Sequence, residues 1–257
     1  MDLGVEGLRV LVTGGSAGIG LASAGMLAAE GARVMIASRS PQAAASELGV
    51  DAVACDLAAA GGAAHAVACA VGALGGLDVL VNNVGAATIR SFDELTDEHW
   101  QTAWDTNVMS YVRAIGAAVP ELSRSSRAAI VNVSSTAGKR PSLGMPDYTV
   151  TKAAVLSLSR LVAETYAPRG IRCNAVCPGP TLTPAWLAAG GLADQTAARQ
   201  GSTREQVLEA VGKGRPIGRM ADPEEIARVV CFLVSPASSY VTGAAWSADG
   251  GTVSIVI

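Results

Sequence analysis

A tyrosine at 148 and a lysine at 152 stand four residues apart in an apolar, helix-forming stretch, and residues at that spacing share one helix face. A free phenol titrates near ~10. An ammonium about 4 Å away, at an effective dielectric of about 20, favours the phenolate by roughly 4 kcal/mol before solvent screening reduces it. The pair reads as an acid/base device that brings a tyrosine toward use near neutrality. The plain alternative is a lysine stem lying along a half-buried tyrosine. Other residues must decide between the two.

The elements that would position the pair can be read from hydropathy. Short apolar runs at 8–13, 32–37, 50–55, 77–81, 129–134 and 171–177 alternate with longer Ala-rich stretches. Such alternation predicts an α/β fold, a Rossmann-like doubly wound parallel sheet of about seven strands with helices on both faces. The runs are almost continuously apolar, as burial on both faces of a sheet requires. Gly31 stands where a left-handed residue would end the first helix. With 257 residues, 50% of them hydrophobic, and no long linker or repeat, a single domain over 1–257 is expected. From 184 to 219 the sequence turns Gly-rich and polar, with helical patches at 185–192 and 203–211. This stretch follows the C-terminal end of a strand, where ligands bind in such sheets, so a substrate lid is expected there.

A formal net charge of -3 with 16% charged residues supplies no basic surface for nucleic acid and no acidic tail. Small molecules and copies of the same chain are the expected partners. No apolar run reaches the ~18 residues of a membrane span, and the first nine residues lack the pattern of a signal peptide, so a cytoplasmic protein is expected. The five cysteines are an odd number and scattered, which argues against a disulfide framework. Cys173 and Cys177 lie in one predicted strand, where four residues separate their Cα atoms by roughly 13 Å, too far for a disulfide. They read as small buried hydrophobes. His65 and His99 are the only histidines and lie far apart in sequence, so no metal site is expected.

The first predicted strand runs into Thr13-Gly-Gly-Ser-Ala-Gly-Ile-Gly20 and then a helix. Glycines permit a tight turn and close approach of a diphosphate, and the helix start offers unpaired N–H groups at the positive end of its dipole. Asp56 follows the third strand, where it could accept from an adenine amino group or cap a helix. Asn82-Asn-Val-Gly85 follows the fourth, at the crevice above the sheet, as a binding segment or as ordinary turn chemistry.

These residues, followed by Asn107, Ser135, Tyr148-x-x-x-Lys152, Pro178-Gly179 with Thr183, and Asp249-Gly-Gly251, occur in the order and approximate spacing of the short-chain dehydrogenase/reductase family. The chain resembles that family over essentially its whole length, and its 3-oxoacyl-[acyl-carrier-protein] reductase-like members in particular. The resemblance implies that Tyr148 is the general acid in carbonyl reduction. Lys152 would lower the phenol pKa and hold the nicotinamide ribose. Ser135 would hydrogen-bond the substrate oxygen, with Ser134 structural. Asn107 would anchor a water on a proton path to Lys152, alongside a role as a core amide that stabilises a helix kink. The implied cofactor contacts are Gly14, Ser16, Gly18, Ile19 and Gly20 in the first turn, then Ser38, Arg39, Asp56, Leu57, Asn83 and Gly85. They continue with Pro178, Gly179, Thr181 and Thr183, and include Tyr148 and Lys152 themselves. The helices holding Asn107 and Tyr148 form subunit interfaces in this family, which implies a homotetramer or homodimer.

Cofactor choice is expected at Ser38-Arg39-Ser40, after the second strand. NAD-preferring enzymes of this kind commonly place an acid at the Ser38 position. Here the acid is missing, and Arg39 could chelate a 2′-phosphate to which Ser38 donates. NADPH is therefore expected to be preferred, with NAD possible. Trp100 and Trp104 are expected to pack, Trp246 to lie in the core, and Trp186 to line either the substrate pocket or the lid. Arg124, Arg127, Arg169 and Arg172 read as solvated residues, or as a dock for an acidic carrier protein. Three functions remain on sequence grounds. One is NADPH-dependent reduction of a ketone, such as a 3-oxoacyl thioester; another is oxidation of a secondary alcohol, polyol or sugar; the third is nucleotide binding without turnover.

Overall fold

In the computed structural model, which describes residues 3–254, seven strands form one parallel sheet. They are β1 (Arg9–Thr13), β2 (Arg33–Ser38), β3 (Asp51–Ala54), β4 (Val79–Asn82), β5 (Ala129–Val133), β6 (Arg172–Pro178) and β7 (Ala245–Ala248). Their order is β3-β2-β1-β4-β5-β6-β7, the Rossmann-like α/β architecture that the alternation of runs predicts. The chain winds outward in one direction from β1 and in the other from β4. A crevice therefore opens at the C-terminal ends of those two neighbours. Their register pairs Thr13 with Asn82, so the glycine-rich turn and the Asn82-Asn83 segment leave the sheet side by side.

Among the described residues ten α-helices cover the sheet and its C-terminal edge: α1 (Gly18–Ala29), α2 (Gln42–Leu48), α3 (Gly62–Leu74), α4 (Asp97–Trp104), α5 (Ser110–Leu122), α6 (Pro146–Tyr166), α7 (Pro184–Leu187), α8 (Leu192–Gln200), α9 (Arg204–Lys213) and α10 (Pro223–Val234). Strand residues alternate between two apolar layers. Val10, Val12, Val79, Val81 and Val131 pack with α1 and α10, while Leu11, Leu80 and Ile130 pack with α3, α5 and α6. Each fully buried Leu or Ile contributes about 1.5–3 kcal/mol. The last helix starts sharply because Pro223 follows an Asp222/Glu225 capping box with Glu224 in its first turn. Gly31, at φ 85°, follows the end of α1 as expected. No helix among the described residues is long and apolar enough to cross a membrane.

Three readings are corrected by packing. The patch expected at 185–192 is one turn of α7, because Gly190 at φ 71° breaks it, and α8 runs on from Leu192 to Gln200, through positions 193–200 that the sequence reading leaves without a helix. Arg172 is not solvated. Its guanidinium donates to the main-chain oxygens of Leu233, Val234, Ser235 and Val241 and to Ser238 Oγ, closing the C-terminus of α10, and burial lowers its pKa. Trp246 lies on β7 at the sheet edge, 38% exposed, with its ring tilted onto Phe232 at 5.5 Å; an edge strand cannot bury both of its faces. Cys173 and Cys177 are both buried in β6, and burial pushes their thiols up to about 12 and about 11.

Candidate active site

The C-terminal ends of β4, β5 and β6 meet α5 and α6 around Lys152. This residue is 2% exposed, and its Nζ donates to Val133 O at 2.8 Å and, at a longer 3.4 Å, to Tyr111 Oη. Tyr148, one turn earlier on α6 and partly exposed, presents its ring 5.7 Å from the same Nζ. Burial raises the Tyr148 phenol above its usual value, and the nearby Ser135 hydroxyl opposes that rise. The expected lowering by Lys152 is absent from this geometry. The four-residue spacing aligns the two stems as expected, but the sheet carbonyl of Val133 draws the ammonium to itself. Burial instead brings Lys152 down to about 7.

Ser135 caps a 3-10 turn (Thr136–Gly138), its Oγ accepting from Ala137 N at 3.1 Å. Ser134 faces the other way and donates to Lys152 O at 2.7 Å, fastening β5 to α6. Asn107 lies in a π-helical turn (Asp105–Met109) between α4 and α5 and is fully buried. Its Oδ1 accepts from Ala86 N at 2.9 Å, and its Nδ2 donates to Ala86 O at 3.1 Å and to Thr151 Oγ1 at 3.3 Å. The widened turn thus clamps the loop after β4 against α6. Gly85, next to that clamp, has its bare side toward Lys152. A Cβ there would stand 3.3 Å from both Lys152 Nζ and Asn107 Oδ1.

On the other side of the crevice Gly14 and Gly18 adopt φ of 64° and 53°, conformations that favour glycine. Asn83 joins this turn to β4: its N donates to Thr13 Oγ1 and its Nδ2 to Gly14 O, both at 3.0 Å. Gly20 lies beneath, where a Cβ would come within 2.4 Å of Asn83 Nδ2. Ser16 and Ile19 are partly exposed in this turn, and α1 starts there without a side-chain cap, leaving N–H groups directed at the crevice. Thr183, more than 160 residues later in the chain, packs against Gly18. It follows Pro178, Gly179 and Thr181, whose Oγ1 donates to Gly179 O at 2.9 Å.

The residues after β2 and β3 offer unused polar groups. Ser38 Oγ is buried with no hydrogen-bond partner, and Arg39 is exposed and makes no ion pair or hydrogen bond among the described residues. Asp56 is also exposed, and its Oδ1 accepts from Ala58 N at 3.0 Å. It closes a local turn and is not a helix cap, since α3 begins only at Gly62; Leu57 beside it is buried. An orphaned hydroxyl with a free guanidinium at the end of β2, and a glycine cradle beside Lys152, fit a dinucleotide with phosphate and ribose groups to be bound.

Sequence reasoning missed three residues. Tyr111, fully buried on α5, donates to Val133 O at 3.0 Å; its place four residues after Asn107 was the available signal. Gln195 on α8 accepts from Ile89 N at 2.8 Å, and Arg199 pairs with Glu94 at 2.6 Å. These contacts hold the 184–219 segment against the loop that follows β4. Trp186 packs on Ala193, Ala197 and Val207 within that segment. Trp100 meets Phe92 edge-on at 6.1 Å, while Trp104 stays 38% exposed.

Residues 14–253 match the family described as enoyl-(acyl carrier protein) reductase. The short-chain reductase protein NovJ of Streptomyces niveus is 36% identical over 249 residues, covering 94% of this chain and 92% of the relative. The 2-keto-3-deoxy-L-fuconate dehydrogenase of Xanthomonas campestris pv. campestris is 35% identical over 253 residues, covering 96% and 80%. Among solved structures, L-sorbose reductase from Gluconobacter frateurii, complexed with NADPH and L-sorbose, superposes over 100% of both chains with a TM-score of 0.91 and 33% identity.

Proposed function

The chain belongs to the short-chain dehydrogenase/reductase family, and from that premise we propose that it reduces a ketone to a secondary alcohol with NADPH. The carrying observation is the grouping of Tyr148, nearby Ser135, and a buried Lys152 beside Gly85. Tyr148 gives its hydroxyl proton to the substrate oxygen, to which Ser135 also donates a hydrogen bond. When bound, the nicotinamide supplies the hydride to the carbonyl carbon. With the cofactor bound, Lys152 would hold the ribose hydroxyls. Asn107 fixes Ala86, and with it Gly85, which would leave room for the ribose beside Lys152.

The dinucleotide would lie across the turn of Gly14, Ser16, Gly18, Ile19 and Gly20, with Thr181 and Thr183 closing over it and Asp56 and Leu57 at its adenine. Preference for NADPH is supported by the unpaired Ser38 Oγ and the unpartnered Arg39, two donors suited to a 2′-phosphate. The NADPH complex of sorbose reductase favours the same choice. The 184–219 segment serves as the substrate lid, latched by Gln195 and Arg199. The names of the sorbose reductase and the fuconate-derived acid dehydrogenase favour a polyhydroxylated carbonyl substrate over a 3-oxoacyl thioester. Oxidation of such an alcohol is the second reading, because Tyr148 and Lys152 serve either direction. Exposed Trp104, Val112, Val150 and Leu161 on α4, α5 and α6 support self-association, which light scattering after gel filtration would measure.

The test is NADPH consumption with ketoses, simple ketones and 3-oxoacyl thioesters, alongside NADP⁺ reduction with the corresponding alcohols. Turnover of ketoses that disappears in Tyr148→Phe supports the reading. Turnover unaffected by that substitution would sink the mechanism.

A further inference from the structure

We infer that Tyr111 is a positioning residue for Lys152, its buried hydroxyl oxygen serving with Val133 O as a two-point seat for the ammonium under the substrate crevice. The inference rests on the catalytic reading of Lys152 given above. Three atoms form the seat. Tyr111 Oη donates to Val133 O at 3.0 Å, and Lys152 Nζ donates to Val133 O at 2.8 Å and to Tyr111 Oη at 3.4 Å. With its proton directed at the carbonyl, the phenol presents its lone pairs to the ammonium. The same ring lies 5.2 Å from Nζ, adding a cation–π contact.

Tyr111 holds the lysine and does not relay a proton. It is fully buried, and its hydrogen bond ends on a main-chain carbonyl that has no proton to pass on. Burial, with Tyr148 nearby, holds its own pKa well above the usual value, so it stays a neutral acceptor. The titratable groups facing Lys152 are Tyr111 from α5, Tyr148 from its own helix α6 and Cys177 from β6. No carboxylate among the described residues contributes to its charge balance. A cation held only by neutral oxygens and a ring depends on each of them more than one with an anionic partner would. Tyr111 stands four residues after Asn107, and both reach α6, Asn107 at Thr151 and Tyr111 at Lys152.

Tyr111→Phe tests this, because it keeps the ring and its cation–π contact and removes only the oxygen. Lys152 is followed by side-chain ¹³C and ¹⁵N resonances across pH, in the wild type and the variant, a readout that needs neither substrate nor turnover. The charged form loses an acceptor, so the Lys152 midpoint should fall by about half a unit or more. In steady-state assays kcat should fall about five- to tenfold with the ketone KM unchanged, and the high-pH limb of the rate profile should move to lower pH. An unchanged Lys152 midpoint and rate profile would overturn the assignment and reduce Tyr111 to a packing residue. Should the variant not fold, a nuclear Overhauser contact between the slowly exchanging Tyr111 hydroxyl proton and the Lys152 ε-methylene in the wild type decides, its absence refuting the seat. If the wild type turns over no carbonyl while the Lys152 midpoint still shifts in the variant, the functional reading fails and the seat stands.

Discussion

Lys152 donates its ammonium to the main-chain oxygen of Val133 at 2.8 Å, although Tyr148 stands one turn away on the same helix. The cation is thereby anchored to the sheet, at the C-terminal end of β5. It reaches Tyr148 through the ring's surroundings and not through a hydrogen bond to the hydroxyl.

That burial has a signed consequence for stability. Burial holds Lys152 down to about 7 in the fold, against 10.5 for a free lysine. The unfolded chain therefore binds one more proton than the folded chain between those values, and the destabilisation is full below about pH 7 and fades as pH rises toward 10.5. Lys152→Met should raise the melting temperature of the cofactor-free protein at pH 7, and the advantage should shrink steadily by pH 10. A gap independent of pH would mean that the lysine is not desolvated.

Removal of the proposed acid should separate binding from chemistry. Tyr148→Phe should lower kcat for carbonyl reduction by about 10²- to 10⁴-fold, the range of a positioned general acid. NADPH affinity, measured by fluorescence titration, should change little.

Cofactor preference should turn on two neighbours after β2. Arg39→Ala should raise the KM for NADPH about tenfold while leaving that for NADH nearly unchanged, since only the 2′-phosphate loses a charge-assisted partner. Ser38→Asp should go further and favour NADH, because a carboxylate accepts from ribose hydroxyls and repels phosphate. Equal losses with both cofactors would refute the assignment.

The contact of the proposed lid should act on substrate and not on nucleotide. Gln195→Ala removes the acceptor for Ile89 N and should raise the ketone KM about three- to tenfold, as one lost hydrogen bond allows. Steady-state kinetics at saturating NADPH measures it.

Arg172 should matter to stability alone. Its five hydrogen bonds close α10, and Arg172→Met should cost about 2–4 kcal/mol in a denaturant titration by leaving carbonyls unpaired. The kcat of the folded fraction should stay at the wild-type value.

Much of this was legible in one dimension because the signals are local. The continuous apolar runs that became β1 to β6 announce strands buried on both faces, and Gly14, Gly18 and Gly20 mark a turn with few other uses. Tyr148 and Lys152 share a face because helix geometry is fixed. Asn83 and Thr183 are marked by the family resemblance, yet what they touch depends on register: Thr13 pairs with Asn82 across β1 and β4, and the chain after β6 returns to Gly18.

The sequence by itself determined the fold class, the order of the motifs and the residues able to do acid/base chemistry, since each follows from periodicity and side-chain type. The tertiary structure alone decided where the charges rest. It gave the Lys152 ammonium to Val133 and Tyr111, buried the Arg172 guanidinium against the end of α10, and left Ser38 Oγ unpaired. Each outcome depends on desolvation and on hydrogen-bond partners dozens of residues distant, which spacing along the chain cannot encode.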